Sequence, residues 1–400
     1  MTIEAALPQP FNSAHFVDPH RAYARLREEG PVHQVALPDG TPIWLVLREA
    51  DVRAWLTDDR LSVNKAKSGN GYKGFSLPPA LDANLLNIDP ADHLRLRRLV
   101  SKTFTPRRVE ALRDGVQAAA DGLADVLARC METNGAADLV SQFANPLPLV
   151  VIGDLLGVPE QDRKPFSDWV TTMFDPQGRE DMANAVDSIH HYLVELIEQR
   201  RHEPDDRLLS ALIAVRDEGD TLTEDELVSL AFLILFAGSE STQHVISGGL
   251  LTLLEHPRQL GALREYPALL PDAVEEILRY AHPNQMAIRR FPTEDIVIGG
   301  TRIPAGDTVM LCPASAHRDP QRYPEPDRFD IHRTDKSHLA LGYGVHYCLG
   351  APLARLEIQT ALGTLLRRFP KLSLGVPADQ LRWRPSFRSH VVKELPITAG

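Results

Sequence analysis

Cysteine, positive charge and long apolar runs are all scarce in this chain of 400 residues. It carries 43 lysines and arginines against 54 aspartates and glutamates, a formal net charge of −11. That balance removes the basic footprint on which non-specific nucleic-acid binding depends. The three cysteines, Cys130, Cys312 and Cys348, lie far apart and form no CxxC pair, which argues against a zinc site. No run of about 18 consecutive apolar residues occurs, so no segment reads as a membrane-spanning helix. The opening, MTIEAALPQPFNSAHF, lacks the positive and then apolar pattern of a secretory signal. Few cysteines and no such signal point to a reducing cytoplasm. Without a Ser/Gly linker, a low-complexity tract or a repeat, residues 1–400 read as one domain.

What is present supports one large core. Hydrophobic residues make up 43% and charged residues 24%. A short helix is expected over Asp18 to Glu29, stopped by Gly30-Pro31. Two strand-like runs follow, Val32 to Ala36 and Ile43 to Leu47, joined by the turn Pro38-Asp39-Gly40. Residues 63–88, rich in Gly, Ser, Asn and Pro, read as a long loop, of a length that is usually functional or disordered. From about 90 to 280 the pattern is helical. The clearest helix opens on the capping box Thr223-x-x-Glu226, runs to about Leu254, and is ended by Pro257. It is apolar nearly all round, so it should cross the core. A last long helix is expected over about 351–368. The β-rich parts are about 31–60 and 285–312, and the rest is helical.

The chemistry concentrates in His338-Leu339-Ala340-Leu341-Gly342-Tyr343-Gly344-Val345-His346-Tyr347-Cys348-Leu349-Gly350. Glycines four and six residues before Cys348 allow a tight turn whose amides can point at a sulfur, lowering electron density on a thiolate. A helix starting near Gly350 adds its positive end. Taken alone, a lone cysteine in such a loop is most often an inert buried thiol.

Its surroundings change that reading. The loop resembles the haem-binding loop of the cytochrome P450 superfamily, F-G-x-G-x-H-x-C-x-G, and Ala351 to Glu357 resembles the usual continuation in bacterial members. Leu341 stands where the family normally has Phe. The resemblance spans about 15–396. It implies a mainly α fold with small β-sheets: a helix-rich triangular prism with haem between the long central helix and the helix after the Cys loop. Cys348 would be the axial thiolate ligand of haem b, iron protoporphyrin IX. His93 and Arg97, at i and i+4, together with Arg290 and His346, match the positions that hold the haem propionates. Glu276 and Arg279 match the family's E-x-x-R pair, and Arg328 resembles its third member; together they would form a structural clamp.

In the long helix, Ala237-Gly238-Ser239-Glu240-Ser241-Thr242 resembles A-G-x-E/D-T-T. Small Ala237 and Gly238 would admit oxygen, and Glu240, Ser241 and Thr242 would manage protons. Ser241 replaces the usual Thr, keeping the hydroxyl and losing the methyl that limits χ1. The implied reaction is monooxygenation with O2 and electrons from NAD(P)H through ferredoxin reductase and ferredoxin. Arg95, Arg98, Lys102, Arg107 and Arg108 would dock the acidic ferredoxin.

Several patterns lead elsewhere. Gly69-Asn70-Gly71-Tyr72-Lys73-Gly74 matches G-x-G-x-x-G, but no buried strand precedes it and Phe75-Ser76-Leu77-Pro78-Pro79 cannot open a helix, so it reads as no nucleotide site. His190 and His191 are adjacent and diverge on a helix, and Arg200-Arg201 suits a helix end. Candidate substrate-lining residues are Phe75, Leu85, Leu86, Met173, Phe174, Asn284, Gln285, Met286, Phe387 and Arg388. Their mixture suits a bulky, partly oxygenated molecule, and a macrolide-like secondary metabolite is expected. A terpenoid, steroid or xenobiotic substrate, oxidative coupling, or a haem sensor without turnover are the alternatives. The protein is expected to act as a monomer.

Overall fold

The computed structural model describes residues 7–69, 71–72, 77–82, 84–174, 176–217 and 222–400. In chain order the helices are α1 (Ser13–Val17), α2 (Pro19–Glu29), α3 (Glu49–Trp55), α4 (Pro79–Asp82), α5 (Pro90–Thr103), α6 (Pro106–Ala111), α7 (Arg113–Asn134), α8 (Pro146–Leu156), α9 (Arg163–Phe174), α10 (Arg179–His202), α11 (Leu208–Asp217), α12 (Glu224–Glu255), α13 (Pro257–Glu265), α14 (Leu270–Tyr280), α15 (Pro313–Ala316) and α16 (Ala351–Arg368). The strands are β1 (Val32–Ala36), β2 (Pro42–Val46), β3 (Leu61–Ser62), β4 (Ala137–Asp138), β5 (Phe291–Pro292), β6 (Ile296–Ile298), β7 (Thr301–Ile303), β8 (Val309–Leu311), β9 (Ser373–Leu374) and β10 (Pro396–Thr398). The chain is thus mainly α with small sheets, as expected. Part of the expected 63–88 loop is structured, by a 3-10 turn at Lys65–Lys67 and by α4.

Contacts divide the chain into two compact units. The first comprises Met1–Gly74, Gly248–Cys348 and Val376–Lys393. Its central sheet has the order β1-β2-β8, with β1 and β2 antiparallel and β8 parallel to β2. The β1–β2 turn closes through the Gly40 amide on the Leu37 carbonyl, with Gly40 at φ +81°. Strand alternation divides the side chains between two cores. Val46, Val309 and Leu311 enter one cluster with Trp55 and Leu339. Ile43, Leu45 and Met310 enter the other, with Tyr23 and Cys312.

The second unit comprises Phe75–Ser247, Leu349–Gly375 and Glu394–Gly400. Here α16 packs along α7, and Leu356, Ala361, Leu362 and Leu365 are buried. The Gln117 side-chain amide on α7 donates to Thr364 Oγ1 at 2.9 Å, and Arg367 reaches Asp121 at 3.0 Å. A small sheet of order β4-β10-β9 closes the chain terminus onto this unit. Most of α12 lies here and its C-terminal end lies in the first unit. The Thr223 amide donates to Glu226 Oε2 at 2.8 Å and the Glu226 amide to Thr223 Oγ1 at 3.2 Å, the reciprocal capping box read from the sequence. The 32 residues of α12 extend about 48 Å. It stops at Glu255, and Pro257 becomes the first residue of α13, where its missing N–H is not needed.

Candidate active site

In the first unit, the glycine loop before Cys348 is built by two residues that only glycine satisfies. Gly342 has φ +75° and Gly344 φ +71°. A Cβ on Gly344 would meet Thr57 Cγ2 at 2.6 Å, and one on Gly342 would lie 3.1 Å from the His346 carbonyl oxygen. The loop therefore folds back on itself and against the end of α3. The Cys348 amide donates to the Leu341 carbonyl at 2.7 Å, and the Tyr347 amide to that of Gly344 at 3.0 Å. The lead-in is fixed by side chains: the Leu339 amide donates to His317 Nε2 at 2.9 Å, and His338 Nε2 pairs with Glu275 at 3.1 Å. Cys348 ends up partly exposed, three residues before α16 begins.

The other cysteines differ in chemistry. Cys312 is fully buried, its thiol donates to the Gln285 carbonyl at 3.2 Å, and burial pushes its pKa up to about 12. It is a structural thiol. Cys130 sits inside α7 with no turn around it.

Arg290, also in the first unit, is buried and bridges β8 through reciprocal backbone bonds with Val309. One of its Nη atoms reaches the Leu61 carbonyl at 3.4 Å. His346 lies in a 3-10 turn, Gly344–His346, of the Cys348 loop.

The structure corrects the clamp behind this loop. Glu276 and Arg279 on α14 are buried and pair through both carboxylate oxygens, at 2.7 and 2.8 Å. The third side chain at Glu276 is Arg333, with Nε 3.3 Å from Oε1; it is not Arg328. The Arg328 guanidinium is 57% exposed and pairs with Glu325, while its carbonyl accepts from both Arg279 and Arg333. The irregular meander between residues 320 and 336 has no periodicity from which that exchange could have been read.

In the second unit, His93 is buried on α5 and Arg97, one turn on, is half-buried. Burial first, and the Arg97 charge second, lower the His93 pKa, so its ring is neutral at pH 7 and can offer an N–H. Of the basic residues expected to dock a partner, Arg98, Lys102, Arg107 and Arg108 are exposed. Arg95 is not free for that task, because it pairs with Glu226 in the first turn of α12.

The middle of α12 is unbroken α-helix through residues 237–242. Ala237 is exposed and Glu240 and Ser241 are half-buried, so the i, i+3, i+4 spacing gathers them on one accessible face. Thr242 is buried, turned about 100° from Ser241 into the packed side. Gly238 has a packing reason that the sequence did not reveal: a Cβ there would meet Ile152 Cδ1 of α8 at 2.5 Å. The sequence reading also passed over His244, buried one turn after Glu240 with Nε2 3.9 Å from its carboxylate. Its i, i+4 spacing from Glu240 was the available signal.

Among the candidate lining residues, Phe174 packs at a tilt against Phe236 of α12 with ring centroids 5.1 Å apart. Leu85 and Met173 are buried, and Met286 packs in the Leu45–Met310 cluster. Phe387 packs on Phe11 at 5.5 Å. Phe75 lies outside the described residues, as do Asn70, Lys73 and Gly74 of the G-x-G-x-x-G pattern. The strand before that pattern is β3, two buried residues paired antiparallel with β5, not the long parallel strand a dinucleotide fold requires.

The donor set suits a haem better than a bare ion. Among the described residues no group of three His, Cys, Asp or Glu side chains could hold a metal. A porphyrin needs one protein sulfur and cationic or N–H partners for its carboxylates, which Cys348, Arg290, Arg97 and His93 provide by type.

The family model for cytochrome P450 matches residues 14–266 and 268–387. The chain belongs to the cytochrome P450 family. It is 45% identical over 381 residues to the cytochrome P450 monooxygenase PikC of Streptomyces venezuelae, covering 95% of this chain and 91% of that protein. It is 44% identical to the vitamin D(3) 25-hydroxylase of Pseudonocardia autotrophica, covering 98% and 96%. The solved structure of PksS, the cytochrome P450 of the Bacillus subtilis bacillaene polyketide synthase, superposes with a TM-score of 0.90 at 36% identity, covering 98% of this chain and 99% of that one. This P450 is accordingly a monooxygenase that works with haem, O2 and a supply of reductant from redox partners. Among the described residues, no helix of this P450 is long and apolar enough to cross a membrane.

Proposed function

We propose that this P450 inserts one oxygen atom, by hydroxylation or epoxidation, into a bulky secondary metabolite of polyketide or macrolide type, with residues 1–400 acting as one domain and as a monomer in the cytoplasm. The observation that carries the reading is the setting of Cys348. Its own amide is spent on Leu341, two obligatory glycines shape its loop, and its side chain stays partly exposed while Cys312 is locked away. In this reading the Cys348 thiolate ligates the iron of haem b. When bound, the haem supplies the binding and reductive cleavage of O2, which a thiolate ligand favours.

The remaining roles fall to residues whose settings suit them. Arg97 and Arg290 balance the propionate charges, and neutral His93 and His346 donate N–H groups to them. Ala237 and Gly238 keep side-chain bulk off α12. Glu240 and Ser241, on the accessible face of that helix, deliver protons, and Thr242 supports Ser241 from the packed side. Electrons originate in NAD(P)H and arrive through ferredoxin reductase and ferredoxin, with exposed Arg98, Lys102, Arg107 and Arg108 as the docking cations.

The PksS relative favours a polyketide substrate. The comparable identity to a vitamin D(3) 25-hydroxylase supports a second reading, a terpenoid or steroid substrate. Titrating the ferric protein with both classes and following the low-spin to high-spin shift separates them. The ligand assignment is tested by the carbon monoxide difference spectrum of the reduced protein. Cys348→Ser should abolish the thiolate-type Soret band, and a variant that keeps it refutes the assignment.

A further inference from the structure

A cavity of about 340 Å³ lies within the first unit, at the edge of the β1-β2-β8 sheet, and plays no part in the chemistry above. Its principal lining residues are Asp39, Trp44, Tyr72, Arg289, Asp307 and Thr308. One wall is a strap to which Ser68, Gly71 and Tyr72 contribute, from the stretch left unexplained by the nucleotide-like pattern. The Gly69 amide donates to the Gly306 carbonyl at 3.0 Å, and a Cβ on Gly306 would come within 2.8 Å of Gly69 Cα and N. Two glycine backbones thus cross in contact and pin the strap to the β7–β8 connection. Tyr72 is held between two cations, with Lys65 Nζ 5.0 Å and the Arg289 guanidinium 5.4 Å from its ring centroid.

Arg289 is the anomaly. Its Nε is buried without a hydrogen-bond partner, and none of its guanidinium nitrogens bonds to any described residue. Arg27, Arg163, Arg200, Arg201, Arg290 and Arg318 also bury Nε without a partner, but each commits another guanidinium nitrogen to a protein acceptor. A guanidinium offers five N–H donors, so Arg289 keeps an unspent fork facing a cavity. The carboxylates there are partly committed. Asp307 Oδ2 accepts the Trp44 indole N–H at 2.9 Å, and Asp39 Oδ1 accepts the Thr41 amide at 2.9 Å. Asp307 keeps a second oxygen, and the exposed Asp39 carboxylate also feels the Arg289 charge.

A simple anion would satisfy Arg289 but confront two carboxylates. A simple cation would confront Arg289. A neutral polyol meets both demands, because each hydroxyl accepts from one side and donates to the other. Its C–H faces also suit the aromatic walls of Trp44 and Tyr72. We propose that this cavity binds a glycosyl group, with Arg289 donating to hydroxyl oxygens and Asp307 and Asp39 accepting from hydroxyl protons. The group comes either from a glycosylated metabolite or from a free sugar. The site is independent of the ligand assigned to Cys348, so either proposal can fail alone.

The test is saturation-transfer NMR on the purified haem-loaded protein with methyl β-D-glucopyranoside, methyl β-D-galactopyranoside and sodium sulfate as probes. A glycoside should bind saturably, with Arg289→Ala weakening it at least tenfold and Asp307→Asn weakening it several-fold. Arg289→Lys, which keeps the charge and loses the fork, should also bind poorly while retaining the wild-type circular dichroism and melting point. A glycosylated macrolactone that binds tighter than its aglycone, with the difference erased in Arg289→Ala, assigns the sugar to a metabolite; equal binding of both, with the methyl glycoside still retained, assigns it to a free sugar. No saturable glycoside signal, a signal unchanged by Arg289→Ala, or Arg289-dependent binding of sulfate alone overturns the proposal.

Discussion

Replacing Arg333 with alanine separates the clamp seen in the structure from the one that sequence resemblance suggests. Arg333 donates to the carbonyls of Pro324 at 2.9 Å, Glu325 at 3.1 Å and Arg328 at 2.9 Å, and contacts Glu276 at 3.3 Å. Its side chain is only 11% exposed. Glu276 would keep both Arg279 bonds and the Asp330 amide, and the Arg328 carbonyl would keep Arg279. The loss is therefore two carbonyl bonds at about 1 kcal/mol each and one charge-assisted bond at about 1.5 kcal/mol, roughly 3.5 kcal/mol in all. Glu325 adds to it, since its φ of +46° is the one positive value among described non-glycine residues and its carbonyl would be released. With an unfolding entropy of about 2.1 cal/mol/K per residue over 400 residues, the melting point should fall by roughly 4 °C. Arg328→Ala removes surface pairs with Glu325 and Asp330, together worth about 1 kcal/mol, a fall of about 1 °C. Differential scanning fluorimetry of both variants, with the haem-to-protein absorbance ratio as a second readout, makes the comparison. Equal losses in the two variants, or the larger loss in Arg328→Ala, would refute the assignment of Arg333.

Glu357, on α16, is buried and its Oε2 has no partner among the described residues. Burial alone holds its pKa well above the usual carboxylate range. The unfolded chain ionises it freely above about pH 4.3 while the folded chain keeps the proton, so its contribution to stability is fully present below that pH and lost as pH rises toward the folded value. Each pH unit of that interval costs about 1.4 kcal/mol, so Glu357→Gln should be more stable than the wild type at pH 7 and lose less stability between pH 5 and 7. Identical pH profiles of urea midpoints would contradict it. Ser241→Ala should divert reducing equivalents to hydrogen peroxide, with product formation falling within the ~10²–10⁴ range of a positioned proton donor. Unchanged coupling of NAD(P)H to product would assign the proton step elsewhere. Thr242→Ala should uncouple less, since that hydroxyl is buried; a peroxide assay showing the larger effect there would reverse the two roles.

Local signals in the sequence were read well because their causes are local. β1 occupies Val32–Ala36 and α16 occupies Ala351–Arg368 as expected, and the Thr223–Glu226 box caps α12. Alternation, helical spacing and capping chemistry act over a few residues and leave a visible pattern. Arg328, taken for the clamp member that is Arg333, and Arg95 and Gly238 were misread or half-read for the opposite reason. Arg333 and Glu276 are 57 positions apart, Arg95 and Glu226 are 131 apart, and the atom that excludes a side chain from Gly238 belongs to Ile152. No periodicity within one segment encodes such meetings. The part of the candidate site that was legible is the part whose residues share a loop or a helical face: Gly342, Gly344 and Cys348, or Ala237, Glu240 and Ser241.

The contact between Gly238 and Ile152 ties two helices into one heritable unit. A residue larger than glycine on that turn of α12 is admissible only after position 152 of α8 has shrunk, and a shrunken position 152 leaves a void until position 238 grows. Single steps from either side pass through a worse protein. Attempts to reshape this stretch of α12 one position at a time should therefore stall, while libraries that vary positions 152 and 238 together open a route that neither position offers by itself.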